Sequence, residues 1–296
     1  MKRLLFAAVF CFAAVVSAAD KISFVRPVRP GSHWKCRIRT AQSARYFFRL
    51  PGREEKVVRE HTVQADFAGY LTVLEVNEAG SPVRMSIRTD LLSGSVDGRA
   101  VPGLPAGTVI EAVLSGGKSE FRGLPAGSGL KILFGAMFPP ASNSCLADFT
   151  GKERVLPKPG DGWRPELRPY LDMLFSRGVS LPPSAFKSGI TYYGPDTAAG
   201  MHCRKFALLI ETARLTDYDC RFRLTFWLAP VGPPVLMVRD AKEVIRNVLR
   251  ENQPFAAGTQ VELISEDHTE QELLPAAGLP ENRSGKPGQG WESLLR

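Results

Sequence analysis

The clearest alternation in the chain runs from His33 to Thr40. Trp34, Cys36 and Ile38 take one side, and Lys35, Arg37 and Arg39 take the other. A period of two with one apolar and one charged side predicts a strand in a sheet with one buried and one wet face. Tyr70 to Val76 reads as a second strand and Val83 to Thr89 as a third. The turn sequence from Asn77 to Gly80 lies between them, so the two form a hairpin. Thr108 to Leu114 and Ser119 to Arg122 flank Ser115-Gly-Gly117, a second hairpin signature. The strongest sheet signal runs from Gly200 to Arg239. His202 to Glu211 is one strand, and Thr216-Asp217 lies in its turn. Tyr218, Cys220, Phe222, Leu224, Phe226 and Leu228 then make an apolar face. Pro230 to Pro234 interrupts the run, and Val235 to Val238 resumes it.

Helical spacing is rarer. Leu167, Tyr170, Leu171, Leu174 and Phe175 fit one helix, with Gly178 placed to cap it and Pro165 in its first turn. Leu130 to Phe138 fits a short one that ends at Pro139-Pro140. Asp240 to Asn252 fits a third: Asp240 and Glu243 resemble a capping box, and Ala241, Val244, Ile245, Val248 and Leu249 line one face. The predicted fold class is therefore mainly β (α+β). One or two curled antiparallel sheets, or a half-barrel, pack with two or three helices.

The first twenty residues change the picture. Lys2 and Arg3 precede an apolar run from Leu4 to Val16, and Ser17-Ala18-Ala19 supplies small residues for cleavage. That layout predicts a secretory signal peptide over residues 1–19. The run is too short to span ~30 Å of hydrocarbon as a helix, and no later apolar stretch is long enough. Removing Lys2 and Arg3 lowers the net charge from +8 to +6. A basic chain favours anionic neighbours. Its charge is spread out, without a dense basic block or interleaved aromatics, which argues against nucleic acid.

Two short patterns repeat. Pro30-Gly-Ser-His-Trp34, Pro159-Gly-Asp-Gly-Trp163 and Pro287-Gly-Gln-Gly-Trp291 share the form PGxxW. In each, Pro-Gly makes a turn and the tryptophan plugs a core, so Trp34, Trp163 and Trp291 are structural turn residues. The spacing fits a duplicated domain or three convergent turns. Gly103-Leu-Pro-Ala-Gly107 recurs at 123–127, and both read as turns. The chain divides into an N-terminal antiparallel part at 20–156 and a C-terminal β-rich part with helices at 157–273. A mobile tail rich in Pro and Gly follows at 274–296.

Four cysteines follow the signal: Cys36, Cys145, Cys203 and Cys220. An even number in an exported chain suggests two disulfides, with three possible connectivities. In a regular hairpin turning near Leu215, Cys203 and Cys220 stand about six residues out of register, or ~20 Å. That exceeds the reach of a disulfide.

Catalytic signatures are missing: the sequence holds no GxSxG, HExxH, Walker loop or GxGxxG. His33, His61, His202 and His268 show no metal-ligand spacing, and no CxxC suggests zinc. No metal or cofactor is implied. The run from Glu266 to Glu272 reads as a solvated acidic loop. Asp161 and Asp196 read as turn residues, and Ser93, Ser95 and Asp97 sit in a Gly-bounded loop. No catalytic residue is assigned. Phe121, Leu130, Ile132, Leu133, Phe134, Met137 and Phe138, with Phe222, Phe226 and Trp227, either fill a core or line a cavity.

The segment Phe226-Trp-Leu-Ala-Pro-Val-Gly-Pro-Pro-Val-Leu-Met-Val238 resembles the strand–turn–strand of envelope lipoprotein carriers. That resemblance implies a half-open sheet wrapped over helices, holding acyl chains. The order of the Gly80 hairpin, Gly116-Gly-Lys118 and Pro159-Gly-Asp-Gly-Trp163 is similar to that of uncharacterised bacterial secreted domains. The leading expectation is an exported, periplasmic or extracellular, non-catalytic envelope protein. It binds a lipid or other amphipathic ligand, or an envelope protein partner, at residues the sequence does not identify. The alternatives are a hydrolase of envelope polymers acting through carboxylates, and a structural or assembly protein.

Overall fold

The computed structural model describes residues 21–276, apart from 27, 53–55, 79, 115–117, 140–145, 156–157, 177–178, 213–214, 216 and 249–258. The expected signal peptide, the Ser115-Gly-Gly117 turn, Cys145, the Gly178 cap and Trp291 lie outside the described residues, as does the tail from 277 onward.

Alternation dominates, and strands follow from it. They are β1 (Lys21–Ser23), β2 (His33–Arg49), β3 (Lys56–Val76), β4 (Pro82–Val96), β5 (Arg99–Val101), β6 (Val109–Val113) and β7 (Glu120–Arg122). Helices α1 (Ser128–Met137) and α2 (Leu146–Thr150) come next, then β8 (Glu153–Val155), β9 (Gly162–Trp163) and α3 (Arg168–Ser176). The chain continues through β10 (Phe186–Ala198), β11 (Met201–Thr212), β12 (Tyr218–Leu228), β13 (Pro234–Val248) and β14 (Gln260–Pro275). The protein is mostly β, with a large antiparallel sheet that does not close into a barrel. The sheet order is β7-β6-β4-β3-β2-β14-β13-β12-β11-β10-β9, with β5 beside β4 and β1 paired separately with β8. Neighbours in the sheet are consecutive in sequence except at β6–β4 and where β14 inserts between β2 and β13.

Among the described residues, α1, α2 and α3 each lie against an apolar cluster of the sheet. Leu130, Leu133, Phe134, Met137 and Phe138, in and just after α1, pack on Ile38, Phe67, Ile87 and Ile110. Tyr170 and Leu174 of α3 pack on Ile190, Leu208 and Ile210. Ala147 of α2 joins Ile22, Phe24, Tyr192, Phe206 and Phe226. The N-terminal segment around β1 thus supplies two anchors, Ile22 and Phe24, to a core otherwise built from α2 and β10–β12.

Two sequence expectations are corrected. The residues from Asp240 to Val248, read as the third helix, belong to β13, and 249–252 lie outside the described residues. β13 is hydrogen-bonded on both sides, by β12 and by β14. Apolar side chains stand on both of its faces, Ala241 and Ile245 on one and Val244 on the other. The resulting spacing imitates a helix. The acidic run from Glu266 to Glu272 is also strand, not loop. Its outward positions meet complementary charge: Glu266 faces Lys242, Glu270 faces Arg39 and Glu272 faces Arg37. Such cross-strand pairing is compatible with a sheet.

The disulfide expectation is corrected as well. Cys36, Cys203 and Cys220 are buried free thiols. Arg204 pairs with Leu228 and Glu211 with Arg221. Cys220 therefore stands beside Thr212, nine positions from Cys203 (212 − 203). At ~3.3 Å per residue that is ~30 Å, beyond any disulfide. Cys36 lies on β2, which β14 and β13 separate from β12.

Candidate central cleft

Where the two helix-covered cores meet, the middle strands lose their apolar inner face. Thr40 and Gln42 of β2, Asp267 and Thr269 of β14, and Arg239 of β13 point to the side that elsewhere carries Ile38, Phe67 and Phe226. The register puts Asp267 opposite both Ala241 and Gln42, and Thr269 opposite both Arg239 and Thr40. A cleft of about 580 Å³ opens over this strip. Its walls are Ile132, Gly135 and Ala136 of α1, and Phe149, Pro169, Tyr170 and Met173 from the segment carrying α2 and α3.

The polar strip is hydrogen-bonded end to end. Arg239 Nη2 donates to Asp267 Oδ2 at 2.5 Å and to Thr269 Oγ1 at 3.4 Å. Thr269 Oγ1 donates to Asp267 Oδ1 at 2.8 Å and lies 2.8 Å from Thr40 Oγ1. Gln42 Nε2 donates to the Ala136 carbonyl at 3.3 Å and ties the strip to α1. Arg239 Nε is buried without a hydrogen-bond partner. It is a spare charged donor beside the cleft.

On the α3 side a second network closes the cleft. Tyr218 Oη donates to Glu243 Oε1 at 2.8 Å and lies 3.3 Å from Tyr170 Oη. Tyr170 Oη approaches Cys220 Sγ at 3.3 Å. Burial pushes both phenols well above their usual pKa, so they stay protonated. Burial also pushes the Cys220 thiol up. A thiol held protonated is a poor nucleophile.

His61 stands at the rim, with Nδ1 2.8 Å from Asp97 Oδ1. The Asp97 carboxyl is held below its usual pKa, first by the Thr62 N–H and then by His61. Among the described residues no hydroxyl or thiol is bonded to the His61 ring, so the nucleophile of a serine- or cysteine-type triad is missing. No group of three or more His, Cys, Asp or Glu among the described residues could hold a metal. Besides its apolar walls and neutral phenols, the cleft is lined by the guanidiniums of Arg239 and Arg221, the ammonium of Lys242, the amide of Gln42 and the carboxylates of Glu243, Glu266 and Asp267.

The remaining sequence candidates are spread through the fold. Trp34 enters β2 just after the Pro30-Gly31 turn and packs against the α1 core. Trp163 sits on edge strand β9, between the α2 and α3 clusters, and donates to the Thr150 carbonyl at 3.3 Å. Asp161 accepts from Lys158 N at 2.9 Å within its turn. Asp196 lies in β10 and accepts from Trp227 Nε1 at 2.9 Å. Ser93 and Ser95 are in β4, and Asp97 follows it. His33 stacks on Tyr70, and His268 meets Asp240 at 2.6 Å on the outer face. The cleft residues Gln42, Arg239 and Asp267 carried no sequence motif. Gln42 lies beyond the strand expected at His33–Thr40, Arg239 just after the one expected at Val235–Val238, and Asp267 in a run read as loop, so no sequence signal singled them out.

Among the described residues no helix is long and apolar enough to cross a membrane. Neither a protein-family model nor a curated protein sequence matches the chain. Solved structures give weak resemblances. One is a protein inferred to be exported, with a YmcC-like fold, from Bacteroides fragilis. It is 11% identical, covers 85% of this chain and 98% of its own, and has a TM-score of 0.20. A DUF1329 family protein from Desulfovibrio piger is 11% identical over 82% of this chain and 88% of its own, at 0.14. A domain assigned to outer membrane lipoprotein sorting, from Vibrio parahaemolyticus, is 10% identical over 83% and 88%, also at 0.14. At such scores the likeness carries no argument about this chain.

Proposed function

We propose that this is an exported, non-catalytic envelope protein that holds an amphipathic ligand in the central cleft. The observation that carries the reading is the pairing of an apolar rim with a polar floor in one cleft. Ile132, Ala136, Phe149, Met173 and Phe222 offer contact to an acyl or other apolar chain. Arg239 and Gln42 offer donors to its polar end. A site built of apolar walls and a few placed polar groups is what small ligands require. The leader-like first nineteen residues support export.

Native mass spectrometry of the protein taken from its own secretory compartment tests this. The expected result is an added mass that disappears on denaturation. Gly135→Phe should abolish it. A Cβ at Gly135 meets nothing within 4 Å, so a bulky side chain enters the cleft without displacing backbone. A bare mass for the unaltered chain, together with no uptake of added fatty acid or phospholipid, would overturn the proposal.

A further inference from the structure

The central cleft is lined by charged side chains, yet it has no positive charge to spare. Each of its cations already faces a carboxylate. Arg239 Nη2 meets Asp267 Oδ2 at 2.5 Å, Lys242 Nζ meets Glu266 Oε1 at 2.7 Å, and Arg221 Nε meets Glu211 Oε1 at 3.0 Å. The bond from Lys242 holds the Glu266 carboxyl below its usual pKa, so Glu266 is ionised at neutral pH. At the rim His61 faces Asp97 at 2.8 Å. One lining carboxylate, Glu243, is met by a neutral donor, the Tyr218 phenol. The lining thus balances its cations before any ligand enters.

Resting on the reading of this cleft as a ligand site, we propose that the polar end of its ligand is uncharged: an acyl ester or amide, not a free carboxylate or phosphate. An anion seated on the Arg239 guanidinium would also stand against Asp267, and like charges at that range repel. It would give up its hydration for a cation that is already shared. An ester or amide carbonyl loses far less on leaving water, and one N–H satisfies it. The Arg239 side chain is 32% exposed, so it supplies that N–H without parting from Asp267. Gln42 Nε2 is held by the Ala136 carbonyl, which leaves the Gln42 amide oxygen to accept from an amide N–H or a glyceryl hydroxyl. Asp267 is then the residue that sets specificity, because it cancels the charge that would select a fatty acid.

Calorimetric titration of the exported protein at pH 8 with three amphiphiles of one chain length tests the proposal. The probes are laurate, 1-lauroylglycerol and N-methyllauramide, each below its micellar concentration. The ester and the amide should bind about tenfold or more tighter than laurate, and the tighter of the two names the linkage. Asp267→Asn keeps the shape of the side chain and removes its charge. It should shift the preference toward laurate by about tenfold or more. Glu266→Gln is the second variant. That side chain is 44% exposed, so the substitution frees the Lys242 charge without disturbing the core, and it should shift the preference in the same direction. Gly135→Phe should abolish binding of all three. Laurate binding as tightly as the ester and the amide, or a preference that neither charge variant moves, would overturn the proposal and leave the cleft reading standing. No binding of any probe would overturn both.

Discussion

Gly94 shows how closely single residues fit this sheet. A Cβ there would lie 2.4 Å from the Gln64 carbonyl and 2.9 Å from Leu133 of α1. Backbone cannot give way cheaply, so Gly94→Ala should destabilise the fold by roughly 1–3 kcal/mol. Gly135 is the opposite case. Its Cβ position is open, and alanine is the better helix former, so Gly135→Ala should stabilise by roughly 0.5–1 kcal/mol. Urea unfolding of the two variants checks both signs. The thiols make a further prediction at this scale. Cys36 is buried in the α1 core, and burial raises its pKa far above the ordinary thiol range. Alkylation at pH 8 should leave Cys36 unmodified in the native protein and label it fully in denaturant, read by peptide mapping. Rapid native labelling would contradict the packing around β2.

Among the elements, α3 depends on a polar network as well as on apolar burial. Tyr170 and Tyr218 keep their protons in the folded chain at pH values where unfolded tyrosine, with a pKa of about 10, releases them. A folded pKa raised in this way gives stability that is complete below about pH 10 and is lost as pH climbs toward the folded value. Thermal unfolding should therefore show an alkaline loss of stability that Tyr218→Phe reduces. The same variant should cost about 1 kcal/mol near neutrality by removing the bond to Glu243. An unchanged alkaline profile in Tyr218→Phe would rule out this source. The element scale is also where sequence reading failed. Helix α1 was legible because Leu130, Leu133, Phe134 and Met137 repeat at helical spacing. α3 was legible from Tyr170, Leu171 and Leu174. β13 was not, because a strand half-buried on both faces loses the alternation that identifies it.

For the whole molecule, β14 is the decisive element. It pairs with β13 on one side and with β2 on the other, so the last described strand joins the two flanks of the sheet. We propose that the chain is organised as two parts meeting near residues 156–157, with β14 as the join. A chain ending at residue 258 would expose two long strand edges, a state prone to edge-to-edge association. Sedimentation should show aggregation of that truncated chain, and hydrogen exchange should show loss of protection in β2 and β13. A monomeric truncated chain with native protection would refute this role for β14.

The sequence by itself determined the local matters: the β-dominated class, the alternating faces of β2 and β12, and helices α1 and α3. These follow from side-chain periodicity, which depends only on near neighbours along the chain. Tertiary structure alone decided that β14 lies between β2 and β13, that two strands separate Cys36 from Cys220, and that Glu266–Glu272 is strand. It also brought Arg239 to Asp267. These outcomes depend on which strand lies beside which, and pairing across 200 residues leaves no period for a single sequence to display.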